Sequence, residues 1–185
     1  MSLNFNELIE YAKAFSGLTP ELEACLKDIG PEITPQLQAV TDSFYDQLAT
    51  IPETAKYLEG RVATLKIAHL RWMTGLFSSN IDADFARSMY QVGDIHVKVS
   101  LPVEFMAGAM TLINNELTRI VIDTFGHNGE KCAKALQAIA SVTGLALMIM
   151  QQSYQKSTLA EELEKFLSIS GMSRTLFANL AKAYK

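Results

Sequence analysis

Cysteine is scarce in this chain, with only Cys25 and Cys132, and neither belongs to a CxxC pair. Isolated thiols of this kind read as free cysteines, buried or half-buried, in a reducing compartment. Histidine is scarcer than its usual share, with three in 185 residues. No block of lysine and arginine is present. Sixteen basic residues against twenty acidic ones leave a net charge of −4 and a pI near 5.4. Nothing in that balance tracks a phosphate backbone, so a general nucleic-acid binder is excluded. The longest apolar run, AIASVTGLALMIM at 138–150, falls short of the roughly 20 residues that span a bilayer. It reads as a helix packed on most sides, in a core or a subunit interface. The first residues, SLNFNELIEYAKAF, form a charged amphipathic segment rather than a secretory leader, and the chain is expected to be cytoplasmic. Also missing are strand-period segments, internal repeats and low-complexity tracts. There is no GxGxxG, P-loop, nucleophile elbow, HExxH or EF-hand, and no GGDEF, kinase or methyl-accepting pattern. Asp82 and Asp84 in NIDAD read as helix-cap charges rather than as a metal pair.

What is present is helical. The length suits one domain with a short appendage. Thr19-Pro20-Glu21 caps a helix expected to end near Ile29-Gly30, because Pro31 and Pro35 follow. QLQAVTDSFYDQLAT forms the next helix, and Pro52 and Gly60 bracket a loose connection or short helix. A long helix is expected from about Arg61 to Ser78, and another from the Asp82 cap to about Ser100. Leu101-Pro102 opens a helix to Phe125, GHNG breaks the chain, and one more long helix covers 130–156. Thr158 with Glu161 has the capping-box pattern of a separate segment reaching Leu167, and SRTLFANLAKAY closes the chain. The fold class is all-α, with seven to nine helices.

Two of the three histidines interrupt apolar stripes. Phe85, Met89, Val92, His96 and Val99 recur at helical spacing on one helix. Val62, Leu65, His69, Trp72 or Met73, and Leu76 do so on the helix before it, and a short loop folds the two helices against each other. An imidazole inside an apolar slot is costly unless something satisfies it. A backbone carbonyl can do so, and a metal can. A zinc site needs further ligands close by, which neither stripe supplies. A flat iron macrocycle needs only axial ligands and apolar walls, which the stripes do supply. Tyr45, in FYDQL, adjoins the apolar face of Val40, Phe44 and Leu48 and can turn its ring inward while its hydroxyl finds a polar partner.

These residues resemble the globin domain of bacterial globin-coupled sensors, the haem-binding input modules related to protoglobins, over residues 5–155. The most specific part is VGDIHVKVSLPVEF at 92–105, similar to the family's Ile/Val-Gly-x-x-His followed by Leu-Pro and an aromatic. DSFYDQL at 42–48 and WMTGLFSSNIDADF at 72–85 support it. Relatives often carry Gly before the Leu-Pro, where this chain has Val99-Ser100, and Trp-Tyr after it, where this chain has Glu104-Phe105.

The resemblance implies a globin-like fold with an extra N-terminal helix and a C-terminal helical extension, divided as a sensor globin at 1–156 and an extension or linker at 157–185. It implies haem b (iron protoporphyrin IX), with His96 as proximal iron ligand, Tyr45 as hydrogen-bond donor to bound dioxygen and Leu65 as a distal apolar residue. His69, one turn after Leu65, stands where many relatives carry an apolar or small residue and is a candidate second iron ligand. Met73, Met89, Val92, Val99 and Phe105 complete the expected cofactor contacts. The implied role is a sensor of O2, CO, NO or redox state, not an enzyme. Its expected partners are a homodimer mate through helices 101–125 and 130–156 and a downstream transmitter. The small residues Ala138, Ala140, Ser141, Gly144 and Ala146 would permit close helix contact in such a dimer. Two alternatives stand beside it: a haem enzyme such as an NO dioxygenase or peroxidase, and a haem-free globin-like scaffold.

Overall fold

The computed structural model describes residues 3–183, leaving Met1, Ser2, Tyr184 and Lys185 outside the described residues. Nine α-helices and one 3₁₀ turn make up the regular structure of those residues, with no strand among them. In order they are α1 (Phe5–Ser16), α2 (Pro20–Ile33), the 3₁₀ turn Thr34–Gln36, α3 (Leu37–Ala49) and α4 (Pro52–Ala55). Then come α5 (Val62–Ser78), α6 (Ala83–Lys98), α7 (Val103–Phe125), α8 (Gly129–Ser170) and α9 (Arg174–Ala183). The fold is globin-like, with extra helices at both ends.

Most boundaries follow from local chemistry. Thr19 caps α2 through its hydroxyl, with Pro20 in the first turn. The Asp82 carboxylate accepts the amides of Asp84 and Phe85 to open α6, and Asn128 caps α8. Each satisfies amides that have no partner inside the helix.

Two boundaries differ from the sequence expectation. Helix α2 does not end at Gly30 but carries Pro31 through to Ile33. Pro31 is exposed, while Ile29 and Ile33 are both fully buried and hold the turn in place. Likewise, the chain does not break at 157: α8 runs unbroken for 42 residues. Thr158 and Glu161 sit inside it as ordinary helical residues, because a capping box needs a non-helical N-cap and nothing here forces one. The helix stops at Gly171, which takes φ 67°, a left-handed conformation open to glycine.

The core is organised around α8. Ala135, Ala138, Ile139, Val142, Leu145, Ala146 and Ile149 are buried there, against α6 and α7 along most of its inner length and α1 and α2 elsewhere. By length and composition α8 could cross a membrane, with a mean hydropathy of 1.6 in its most apolar window, but 56% of that window is buried within the fold.

The stripe of small residues on α8 divides. Ala138, Ser141 and Ala146 are spent inside the subunit. Ala140 is exposed, and a Cβ on Gly144 would meet nothing within 4 Å.

Candidate functional site: an apolar cavity with two unpaired imidazoles

Helices α5 and α6 are not folded tightly against each other. They touch where the Trp72 indole N–H donates to the Met89 sulfur at 3.1 Å. Elsewhere a cavity of about 320 Å³ lies between them. That volume is within the range of small-molecule and cofactor sites. Its walls come from α3 (Phe44, Tyr45), α5 (Leu65, His69), α6 (Val92, His96) and α7 (Phe105, Met106), with Met150 of α8 closing one side.

Both stripe histidines reach this cavity. Neither ring nitrogen of His69 has a hydrogen-bond partner, although both are buried. Its imidazole lies between two aromatic rings, stacked on Phe44 at 4.6 Å and on Trp72 at 5.6 Å, with the edge of Tyr45 at 5.7 Å. Burial pushes its pKa down to about 4, so the ring is neutral at pH 7. His96 is also lowered by burial, with the Val92 carbonyl one turn earlier pulling the other way. That carbonyl is not placed well enough for a hydrogen bond, and Nδ1 of His96 is left unpaired. Unpaired buried nitrogens each carry a desolvation penalty of about 1–3 kcal/mol. A fold that keeps two such rings facing one apolar space holds donors suited to a metal.

The end of α6 fixes His96. The Leu101 amide donates to the His96 carbonyl at 3.0 Å and the Ser100 amide to the Val97 carbonyl at 2.9 Å, the paired bonds of a Schellman turn. That turn needs a left-handed residue, and Ser100 supplies it at φ 54°. Ser100 lies directly before the Leu-Pro, so the preference of relatives for glycine there has a backbone cause. Earlier in α6, Gly93 packs against α8: a Cβ there would lie 2.2 Å from the Met150 carbonyl oxygen and 2.5 Å from Oγ of Ser153. The Gly-x-x-His spacing therefore seats the histidine by pressing its helix onto α8.

Of the expected site residues, Tyr45, Leu65, His69, Val92, His96, Val99 and Phe105 all line the cavity. Met73 is wholly buried in the core and Met89 lies beyond Trp72, and neither is part of the cavity wall. Val62, at the start of the α5 stripe, is exposed. Burial raises the Tyr45 hydroxyl to about 12, so it stays protonated as a donor. Of the two stripe alternatives Trp72 and Met73, it is Trp72 that lines the cavity, and Phe44, Tyr57 and Arg61, absent from the expected site, line it too. Extending the α5 stripe one turn back from Leu65 would have reached Arg61. No group of three or more His, Cys, Asp or Glu side chains that would hold a bare ion occurs among the described residues.

The Protoglobin family profile matches residues 5–160. The chain is similar to the globin domain of a Geobacter sulfurreducens globin-coupled sensor, at 28% identity and a TM-score of 0.74, covering 78% of this chain and 96% of that one. The ferric globin domain of Escherichia coli DosC shares the fold at 15% identity and a TM-score of 0.66, covering 79% of this chain and 99% of that one. A heme-based aerotactic transducer, HemAT of Halobacterium salinarum, is 23% identical over 177 residues, which are 92% of this chain but 36% of the transducer's length. The first of these relatives is described as part of a sensor and the last as a transducer. With its fold, its Gly-x-x-His seat and a profile match over most of its length, the chain belongs to the protoglobin family.

Proposed function

We propose that this chain is a haem-binding sensor globin, the input module of a signalling protein that responds to O2, CO, NO or redox state. The observation that carries the reading is the pair of neutral, unpaired imidazoles, His69 and His96, facing one apolar cavity. His96 would be the proximal ligand, seated by Gly93 and the Schellman turn. His69 would supply a second ligand to the iron, one that an exogenous gas would have to displace. Leu65 and Phe44 would keep water out, and the protonated Tyr45 hydroxyl would donate a hydrogen bond to bound dioxygen. Iron protoporphyrin IX, when bound, supplies reversible gas binding and a one-electron couple.

Signal output follows from how α6 is held. A shift of His96 moves α6, and the close seat of Gly93 on Met150 passes that shift to α8. Residues 157–170 belong to the same unbroken helix as the end of the globin body, so a globin body at 1–156 would pass a movement of α8 directly into an extension beginning at 157. A response requires that the gas bind two packings of this assembly with different affinity. A homodimer through α7 and α8 would present the open Ala140 and Gly144 positions to a mate. Binding rather than turnover is favoured because His69 near 4 and Tyr45 near 12 both titrate far from neutral pH, where a general acid or base should lie close to it.

Absorption spectra of the hemin-reconstituted protein, ferric, dithionite-reduced and then under CO, test this reading. Low-spin bands in the resting states and a shifted Soret band under CO are expected. High-spin five-coordinate spectra in both oxidation states would remove His69 from the ligand set, and no Soret band at all would leave a haem-free scaffold.

A further inference from the structure

Arg61 is the one charged side chain on the cavity wall among the described residues. It is exposed, and no carboxylate of the described residues pairs with it. Its guanidinium donates to the Tyr57 carbonyl at 2.8 Å, and the Tyr57 hydroxyl donates to the Ser100 carbonyl at 3.1 Å. Arg61 is thereby held at the rim where the α4–α5 connection meets the α6–α7 corner. A guanidinium held by a carbonyl still has four N–H groups to offer, and a planar fork of this kind suits a carboxylate.

We infer that Arg61 is a positioning residue for the carboxylate edge of the macrocycle. It would anchor a propionate at the water-facing rim and so set which edge of the ring points outward. This rests on the haem reading above. An apolar ring bearing two carboxylates must leave those carboxylates in water, and the rim at Arg61 is where the wall offers them a cation.

The test pairs the residue with the ligand group. Wild type, Arg61→Gln and Arg61→Lys are each reconstituted with hemin and with hemin dimethyl ester, whose carboxylates are neutral, and loss to excess apomyoglobin is followed in the Soret region. Wild type should release the ester roughly fivefold faster than hemin, the modest ratio a solvent-facing ion pair allows. In Arg61→Gln the two rates should converge, Arg61→Lys should keep part of the difference, and high salt should narrow the wild-type ratio. Far-ultraviolet circular dichroism confirms folding in each variant. An Arg61→Gln protein that keeps the full wild-type ratio overturns the anchor while leaving the haem reading intact. A wild type with no Soret band from either porphyrin overturns both.

Discussion

Gly93 and Met150 meet with no room for a side chain between them: a Cβ on Gly93 would fall 2.2 Å from the Met150 carbonyl oxygen and 2.9 Å from its carbonyl carbon. Both obstacles are backbone of a buried helix, which cannot move aside as a flexible side chain would. Gly93→Ala should therefore push α6 off α8 and cost about 3 kcal/mol, the upper end for overpacking. Urea unfolding of the apoprotein measures this as a lowered midpoint. Gly144→Ala, where a Cβ meets nothing within 4 Å, should leave the midpoint unchanged or raise it.

The backbone at the other end of the same helix gives a prediction of opposite sign. Ser100 holds φ 54° to close the Schellman turn, a conformation that costs a residue with a Cβ about 1 kcal/mol or more. Ser100→Gly should raise the melting temperature by a few degrees, because glycine adopts that conformation without the clash, less the entropy it adds to the unfolded chain.

His69 links stability to pH. Its folded pKa is near 4 against an ordinary 6.5. Between those values the unfolded chain binds the proton that the folded chain refuses. Stability of the apoprotein should thus be full above about pH 6.5 and fall as the pH drops toward 4, by up to about 3 kcal/mol. The lowered pKa of His96 acts in the same direction. Denaturant midpoints measured from pH 7.5 to pH 4.5 give the slope.

Replacing that ring separates stability from ligation. His69→Leu removes two unpaired buried nitrogens and should stabilise the apoprotein by about 1 kcal/mol or more at neutral pH, and it should flatten the pH slope. The same variant should convert the resting haem spectrum from low-spin to high-spin and speed CO association. A variant less stable than wild type would mean that the stack between Phe44 and Trp72 outweighs the orphaned nitrogens.

Residue spacing carried much of this site. The period of the α5 and α6 stripes placed His69 and His96 on cavity-facing sides, and the caps at Thr19 and Asp82 gave the helix starts, because capping is a local transaction between neighbouring residues. Tertiary outcomes were not legible. Whether Met73 or Trp72 reaches the cavity depends on a small rotation of α5, and the Trp72–Met89 contact decides it. Pro31 inside α2 and the unbroken α8 depart from the local signals for different reasons. A breaker gives a local preference of about 3 kcal/mol, which the buried neighbours Ile29 and Ile33 override, whereas Thr158 and Glu161 are exposed and nothing takes Thr158 out of the helix. Arg61 and Tyr57 belong to a connection whose path is set by its bonds to Ser100 and to itself, which no periodicity encodes.

A bond from His96 to iron is the central proposal, and a cavity variant measures it directly. His96→Gly, reconstituted with hemin and titrated with free imidazole, should bind hemin at least roughly tenfold more weakly than wild type, given a lost axial ligand. Imidazole should restore both the affinity and the wild-type Soret position. A His96→Gly protein that binds hemin with wild-type affinity and spectrum, indifferent to imidazole, would contradict it.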